Sequence, residues 1–487
     1  MSGRSDLIRT AANVFLTEVR LEEVAASGWR RALLAGAGDK GPRRAAEAEL
    51  RRAAPGLLLD TLGAPGAPGG VRAARRRGYD VACLLLTGEG RRREKLTALL
   101  SGAPDVLARG RGGRWYRVRL PEVEPASPRW WARVALAGLL SVAYCCAVAA
   151  LTLVDAARRL APLPAAPPDP GPPAGSETTF IVPTYNQRAL MDFCLPPLLA
   201  EAGREHPVLV VDDASADGTA EYVRRAYPSV RVVRLPRNRG FAGAVRAGVA
   251  ASYTPLFALI NSDVQVRPGF LRAMLPHFSR PDTFAVCSRI EMPGGSQVET
   301  GNAVGDFCGI LEPRYAPPGA EPGPILYASG ACSIFHRARY DALGGLEVMY
   351  RPLYWEDTEL GYRAWRRGWR SLLEPRASAL HQRRAWIGRR FGDAYANEMF
   401  LRNALLFVWK NVHDPGMLAE HLVYVCARLA RELPSGEATM CRAALRALAL
   451  LPRALQRRWA ERRRGDLGDR EILAISRPEA ADVGVRG

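Results

Sequence analysis

From Thr178 onward, short apolar runs alternate with helical stretches, and this alternation limits the fold more than any other feature of the chain. The apolar runs are Phe180-Ile181-Val182, Val208-Leu209-Val210-Val211, 230–235, 256–260 and 284–287. Helical patterns occupy 190–200, 217–226, 240–251 and 268–278 between them. Strands separated by helices predict an α/β domain with a mainly parallel sheet covered by helices on both faces. Such sheets bind ligands outside the carboxyl ends of their strands. The polar residues collect there: Pro183-Thr184-Tyr185-Asn186 after the first strand, Asp212-Asp213 after the second, Asn238-Arg239-Gly240 after the third and Asn261-Ser262-Asp263 after the fourth.

Further along, Trp355-Glu356-Asp357-Thr358-Glu359 opens what reads as a helix. Acids favour the positive end of a helix, which is one reason for them to be there. A carboxylate so placed can also take a proton from a hydroxyl.

The 487-residue chain is long enough for two or three domains. Its formal charge of +19 implies an anionic partner: nucleic acid, an anionic membrane surface or a phosphorylated substrate. No recognised nucleic-acid-binding module is present, so no nucleic acid is expected. The nine cysteines are scattered without a Cys-x-x-Cys pair, which argues against a zinc site or disulfide framework and for a reducing compartment. The N-terminus is mixed and charged and lacks a cleavable signal-peptide pattern.

Composition divides the chain into five regions. Residues 1–127 read as an α/β region of unassigned role. In it the apolar run 81–86 precedes Thr87-Gly88-Glu89-Gly90 and a helical stretch at 94–101. Residues 63–70 are a Pro/Gly turn, and the basic run 72–77 is a solvated face. Residues 130–157 are a candidate transmembrane or membrane-embedded helix, because 134–154 carry no formal charge and Trp130, Trp131 and Arg133 flank them. The other reading is a long buried helix of a soluble domain. Residues 161–176 are Pro-rich and suggest a stiff linker. Residues 177–414 hold the polar strand ends. Residues 415–487 are helical and basic, suited either to lying on an anionic bilayer or to forming a solvated tail.

The motifs Ile181-Val182-Pro183-Thr184-Tyr185-Asn186, Val211-Asp212-Asp213-Ala214-Ser215, Asn238-Arg239-Gly240-Phe241, Asn261-Ser262-Asp263, Ser329-Gly330-Ala331, Gly344-Gly345 and Trp355-Glu356-Asp357 occur in one order over about half the chain. In this respect the chain resembles family-2 glycosyltransferases of the GT-A fold, within them the rhamnosyltransferase-like branch. The resemblance implies a GT-A type Rossmann-like sheet at 177–414. It also implies a nucleotide-sugar site formed by Pro183, Thr184, Tyr185, Asn186, Asp212, Asp213, Asn238, Arg239, Gly240, Asn261, Ser262 and Asp263. Asp212 and Asp213 suit hydrogen bonds from a pyrimidine imide and a ribose, or else they cap the following turn. Arg239 can meet a phosphate.

The resemblance further implies that Asp263 and His381 hold a divalent cation, Mg²⁺ or Mn²⁺, on the donor diphosphate. Asn261 stands where the family's Asp-x-Asp has its first acid and would be a weaker ligand. Asp357 is the expected general base of an inverting displacement, and Glu356 orients the acceptor or Asp357. Ser329 and Gly330 are expected on the acceptor side. Trp355 either stacks on a sugar there or is core. Arg402 is expected on a solvated face.

The implied function is a membrane-associated inverting glycosyltransferase. It would move a sugar, with rhamnose the one the resemblance points to, from a nucleoside-diphosphate sugar to a glycan or lipid-linked acceptor in bacterial surface polysaccharide synthesis. It would sit at the bacterial inner membrane with its catalytic domain cytosolic. The rivals are a catalytically inactive membrane-bound assembly module, for which Asn261 speaks, and a sugar nucleotidyltransferase, against which the loop Pro183-Thr184-Tyr185-Asn186-Gln187 speaks because it lacks glycine and arginine.

Overall fold

The computed structural model describes residues 15–19, 31–35, 40–53, 58–61, 81–85, 105–109, 115–119, 128–160, 168–293, 302–316, 321–382, 392–461 and 467–475. The expected turn at 63–70, the basic run 72–77, the glycine turn 87–90 and the helix at 94–101 lie outside these residues. The chain divides into two compact units, Met1–Glu124 and Pro125–Gly487.

The first unit is built on a six-stranded sheet of β1 (Phe15–Val19), β2 (Arg31–Ala35), β3 (Leu58–Thr61), β4 (Val81–Leu85), β5 (Asp105–Arg109) and β6 (Trp115–Arg119), in the order β1-β6-β5-β4-β2-β3. The pairs β3-β2, β2-β4 and β4-β5 are parallel, whereas β5-β6 and β6-β1 are antiparallel. Helix α1 (Lys40–Ala53) joins β2 to β3 and buries Ala46 and Leu50, four residues apart on one face.

The second unit opens with α2 (Pro128–Leu160). The alternation predicted from the sequence follows as β7 (Thr178–Thr184), α3 (Met191–Ala202), β8 (Val208–Asp212), α4 (Thr219–Ala226), β9 (Arg231–Arg234), α5 (Gly240–Ala251), β10 (Leu256–Ile260), β11 (Val264–Val266), α6 (Phe270–Met274) and β12 (Thr283–Glu291). Next come the hairpin β13 (Asn302–Phe307) and β14 (Leu311–Ala316), then β15 (Gly323–Ile325), β16 (Cys332–His336), α7 (Arg337–Ala342), α8 (Glu356–Arg366) and β17 (Arg370–His381). Helices α9 (Asp393–Asn411), α10 (Pro415–Glu432), α11 (Thr439–Leu448), α12 (Leu451–Ala460) and α13 (Asp469–Ala474) complete the described chain.

The large sheet runs β11-β17-β12-β16-β10-β7-β8-β9, with β15 added on β17. The β10-β7-β8-β9 half is parallel, as the alternation predicts. In the other half β16 runs antiparallel between β10 and β12, and β11 and β15 run antiparallel to β17, so the sheet as a whole is mixed. Strands β7, β8 and β10 are buried at every position, which explains why they read as unbroken apolar runs. Their side chains alternate between two cores. Phe180, Val182 and Val210 pack with Cys194, Leu198 and Phe270 on one face, while Ile181, Leu209 and Val211 pack with Val245, Val249 and Leu360 on the other. At Gly248 a Cβ would come within 2.5 Å of Ile181, so only glycine lets α5 lie this close to β7.

A third core is mainly helical. It joins α2 to α9–α13 through Leu140, Tyr144, Leu151, Trp409, Leu418 and Val425. The described helices after 415 are therefore packed into the second unit rather than trailing as a solvated tail, and α2 buries one face against them. Nor is the end of the Pro-rich stretch a free spacer. Asp169 accepts from Arg339 Nε at 3.2 Å and from Trp369 Nε1 at 3.1 Å, and the Gly171 carbonyl lies 3.0 Å from His336 Nε2.

Candidate active site

The loops at the carboxyl ends of the parallel strands are tied to one another by side chains that bind backbone amides. Thr184 at the end of β7 accepts the Asp213 N–H at 2.9 Å through its carbonyl. Asn186, in the left-handed region at φ 53°, donates its N–H to Ser215 Oγ at 2.9 Å and accepts the Ala216 N–H at 2.7 Å. Asp212 is fully buried, accepts the Ser215 N–H at 3.0 Å and lies 3.5 Å from Arg234 Nε. Asp213 accepts the Arg239 and Gly240 N–H groups at 2.6 and 2.8 Å. Burial raises the Asp213 pKa, against the pull of those two amides and of Arg351.

Both Asp212 and Asp213 accept amides of the chain's own loops, and Asp212 Oδ2 is buried without a hydrogen bond. Their place in the site is to shape the turn that carries Asn238 and Arg239, which are exposed. The Thr184 hydroxyl is buried without a partner. Tyr185 is half-buried and Pro183 lies within buried β7. Arg351 rests against Gly240, with its Nη2 3.4 Å from the Asn238 carbonyl. It adds a cation that no motif in the sequence indicated.

A second corner forms where β10 ends. Asn261 donates its N–H to the Ala331 carbonyl at 2.9 Å, and the Ser262 hydroxyl donates to Gln187. Strand β11 pairs with the end of β17, setting Val264 opposite His381. Asp263 Oδ1 and His381 Nε2 consequently meet at 3.0 Å, with His381 buried and Asp263 half-buried. A carboxylate and an imidazole at this separation fit a divalent cation that takes its other ligands from water and phosphate. Among the described residues no group of three or more His, Cys, Asp or Glu side chains suits a metal ion.

The third corner carries the acids. Tyr354 and Trp355 both occupy the left-handed region, at φ 63° and 82°. Bulky residues are rarely found there, at a cost of roughly 1–3 kcal/mol each. The turn is held from α9. Asn403 is fully buried and donates to the Tyr350 and Leu353 carbonyls at 2.6 Å and to Tyr354 at 3.1 Å, while Arg402 donates to Tyr350 at 3.1 Å and to the Arg351 carbonyl. Arg402 is thus a buried clamp, not a member of a solvated face. Trp355 is 2% exposed, with ring centres 5.4 Å from Phe400 and 5.2 Å from Phe407. It is core, and it is not available to stack on an acceptor sugar.

The turn places three acids in the first turn of α8. Glu359 points into the interior, where Arg363 at 2.6 Å and Lys410 neutralise it. Asp357 instead accepts the Gly330 N–H at 3.2 Å and the Thr358 N–H at 2.7 Å. Gly330 is covered by Phe241, whose ring would lie 3.1 Å from an added Cβ. Ser329 hydrogen-bonds Ala331 and Ser333. Gly330 and Ser329 therefore position Asp357 and the turn leading to Asn261. Burial pushes the Glu356 carboxyl up to about 8, helped by Asp357 beside it. Burial also raises Asp357, against the opposing pull of the two amides.

Residues 179–344 match the family model for glycosyl transferase family 2. This segment is a family-2 glycosyltransferase domain. The glycosyltransferase is 28% identical over 234 residues to the N-acetylglucosaminyl-diphospho-decaprenol L-rhamnosyltransferase of Mycobacterium tuberculosis, a similarity covering 42% of this chain and 76% of that protein. It is 30% identical over 235 residues to the pre-mycofactocin glycosyltransferase of the same species, covering 46% of this chain and 47% of that protein. The crystal structure of GalNAc-T7 with UDP, GalNAc and Mn²⁺ aligns with 56% of this chain and 54% of its own at 16% identity and a TM-score of 0.43. Asp357 and His381 lie beyond the matched segment of the family model, so their assignment rests on the geometry above.

Proposed function

We propose that the glycosyltransferase is a membrane-associated, inverting enzyme that transfers a sugar from a nucleoside-diphosphate donor to a lipid-linked acceptor. The observation that carries this reading is the seating of Asp357 on the Gly330 amide, one residue from the carbonyl that holds Asn261 beside the Asp263–His381 pair. A base and a diphosphate anchor are thereby fixed to the same turn.

Asn238, Arg239 and Arg351 face the donor loop and suit the diphosphate, with Thr184 and Tyr185 at its floor. A divalent cation held by Asp263 and His381 would neutralise charge on the leaving diphosphate. Asp357 accepts the proton of the acceptor hydroxyl as its oxygen bonds to the anomeric carbon and the carbon–oxygen bond to the diphosphate breaks. Neutral Glu356 donates a hydrogen bond to the incoming hydroxyl and leaves Asp357 the ionised partner. The single displacement inverts the anomeric centre.

The mycobacterial relative named for a polyprenyl-diphosphate sugar supports a lipid-linked acceptor and rhamnose as the sugar. On this reading the enzyme works in surface polysaccharide synthesis at the bacterial inner membrane, with the catalytic unit in the cytosol. The test is donor hydrolysis by the full chain in detergent, with UDP-, GDP- and dTDP-sugars, with Mg²⁺, Mn²⁺ or chelator. Chelator-sensitive release of one nucleoside diphosphate is expected, from dTDP-rhamnose above the others. Neither release nor metal-linked nucleotide binding with any donor would sink the proposal.

A further inference from the structure

Helix α2 is apolar on every side, yet only one side is packed. Its inner stripe, Ala137, Leu140, Tyr144, Ala147, Leu151 and Arg158, is buried against the C-terminal helices. Tyr144 is hydrogen-bonded to His421 of α10 at 2.7 Å and to Trp409 of α9 at 3.0 Å. Asp155 pairs with Arg458 of α12 at 2.9 Å and with His413 at 2.9 Å. The outer stripe consists of Leu136, Leu139, Val142, Cys146, Ala149 and Leu153, of which Leu139, Val142 and Leu153 are 63–70% exposed. A surface helix of a water-soluble domain carries polar residues on that side. The exposed large apolar residues Val423, Leu445 and Trp459 lie on α10, α11 and α12, the helices packed along α2. Exposed arginines stand on the same helices, Arg129, Arg133 and Arg159 on α2 and Arg453 on α12.

We infer that α2 lies in the plane of the membrane, its outer stripe sunk into one leaflet of an anionic bilayer, and does not cross it. The length and composition of the helix would also allow a crossing, but its partners would not. A crossing α2 would draw the helices fastened along it into hydrocarbon, with His421 and Arg428 on α10 and Arg453, Arg457 and Arg458 on α12. Charged side chains at that depth are costly. An in-plane helix keeps these groups on the water side and sets its arginines among anionic headgroups. This charge complementarity favours a bilayer over a second copy of the chain, which would bring the same arginines face to face. The inference rests on the membrane association proposed above and on nothing about the chemistry.

The test uses the full chain, added to sealed, preformed vesicles of phosphatidylcholine with or without phosphatidylglycerol, beside the double variant Leu139→Glu/Val142→Glu. Wild type is expected to float with the anionic vesicles, at least tenfold more than with neutral ones. The variant should stay in solution with an unchanged melting temperature and unchanged donor hydrolysis. External trypsin should digest both units of the bound protein. Flotation of the variant as well as wild type would overturn the assignment of this face. A vesicle-protected fragment carrying either unit would overturn the in-plane placement. A wild-type dimer that the variant dissociates, without vesicle binding, would give the face to a second copy. Donor hydrolysis measured in the same samples separates any of these failures from failure of the catalytic reading.

Discussion

The proposed donor side and the proposed acceptor side of this site are held together in different ways. On the proposed donor side the spans are shorter: Asp212 binds Ser215 in its own loop, and Asp213 binds Arg239 and Gly240 at the neighbouring strand end. On the proposed acceptor side, Asp357 follows a strained turn fixed from afar, with Asn403 reaching back about fifty residues to Tyr350, Leu353 and Tyr354. A locally tied loop keeps its shape if one contact is lost. A turn held against its own backbone preference depends on its clamp. The two halves should therefore fail differently.

The largest effect should come from the base. Asp357→Asn is expected to lower kcat by roughly 10²- to 10⁴-fold with donor affinity unchanged, as read by steady-state kinetics and nucleotide binding. Equal loss of nucleotide binding would erase the distinction between the halves. Asp263→Ala should cost about 10²- to 10³-fold in donor turnover and remove the response to added metal. In titrations monitored by calorimetry it should also weaken nucleotide binding that depends on metal.

Asn403→Ala leaves the turn unclamped. It should reduce kcat by about 10- to 100-fold and weaken nucleotide binding less, since of the proposed donor-side groups Arg351 rides on the clamped turn. If it weakened nucleotide binding as much as turnover, the clamp would serve both sides. The pH profile sharpens the pairing of the acids. Asp357 must be ionised, so activity should rise with pH through its raised pKa. Glu356 must be neutral, so activity should fall above about pH 8. In Glu356→Gln the side chain stays neutral at every pH, and the alkaline fall should disappear. The smallest effect should be that of Trp355→Phe, a change of less than about threefold in acceptor KM, because the ring is core. A large rise in KM would return it to the acceptor site.

Where the sequence could be read, physics made the reading short-range. Strands β7, β8 and β10 are buried on both faces, so their apolar runs announced them, and the polar residues at their ends announced the cleft. Asp357 and His381 were readable only through resemblance to the family. The roles of Arg402 and Asn403 were not readable, because on a helix buried all round no periodicity separates a clamp from a surface residue. Trp355 was ambiguous for a related reason: an aromatic residue beside an acid serves a core and a sugar site equally well in sequence. The antiparallel β16 was hidden because it breaks the strand–helix rhythm that made the first half legible.

The fastening of Asp169 to Arg339 and Trp369 has a consequence for how the chain could be divided. Leu160 ends a helix sewn to the catalytic unit, and Asp169 is sewn to the same unit, so the backbone between them joins two points that other contacts already hold. A nick within residues 161–167 should therefore leave two pieces that stay together. Residues 125–160, made as a separate polypeptide, should find and complement the remainder.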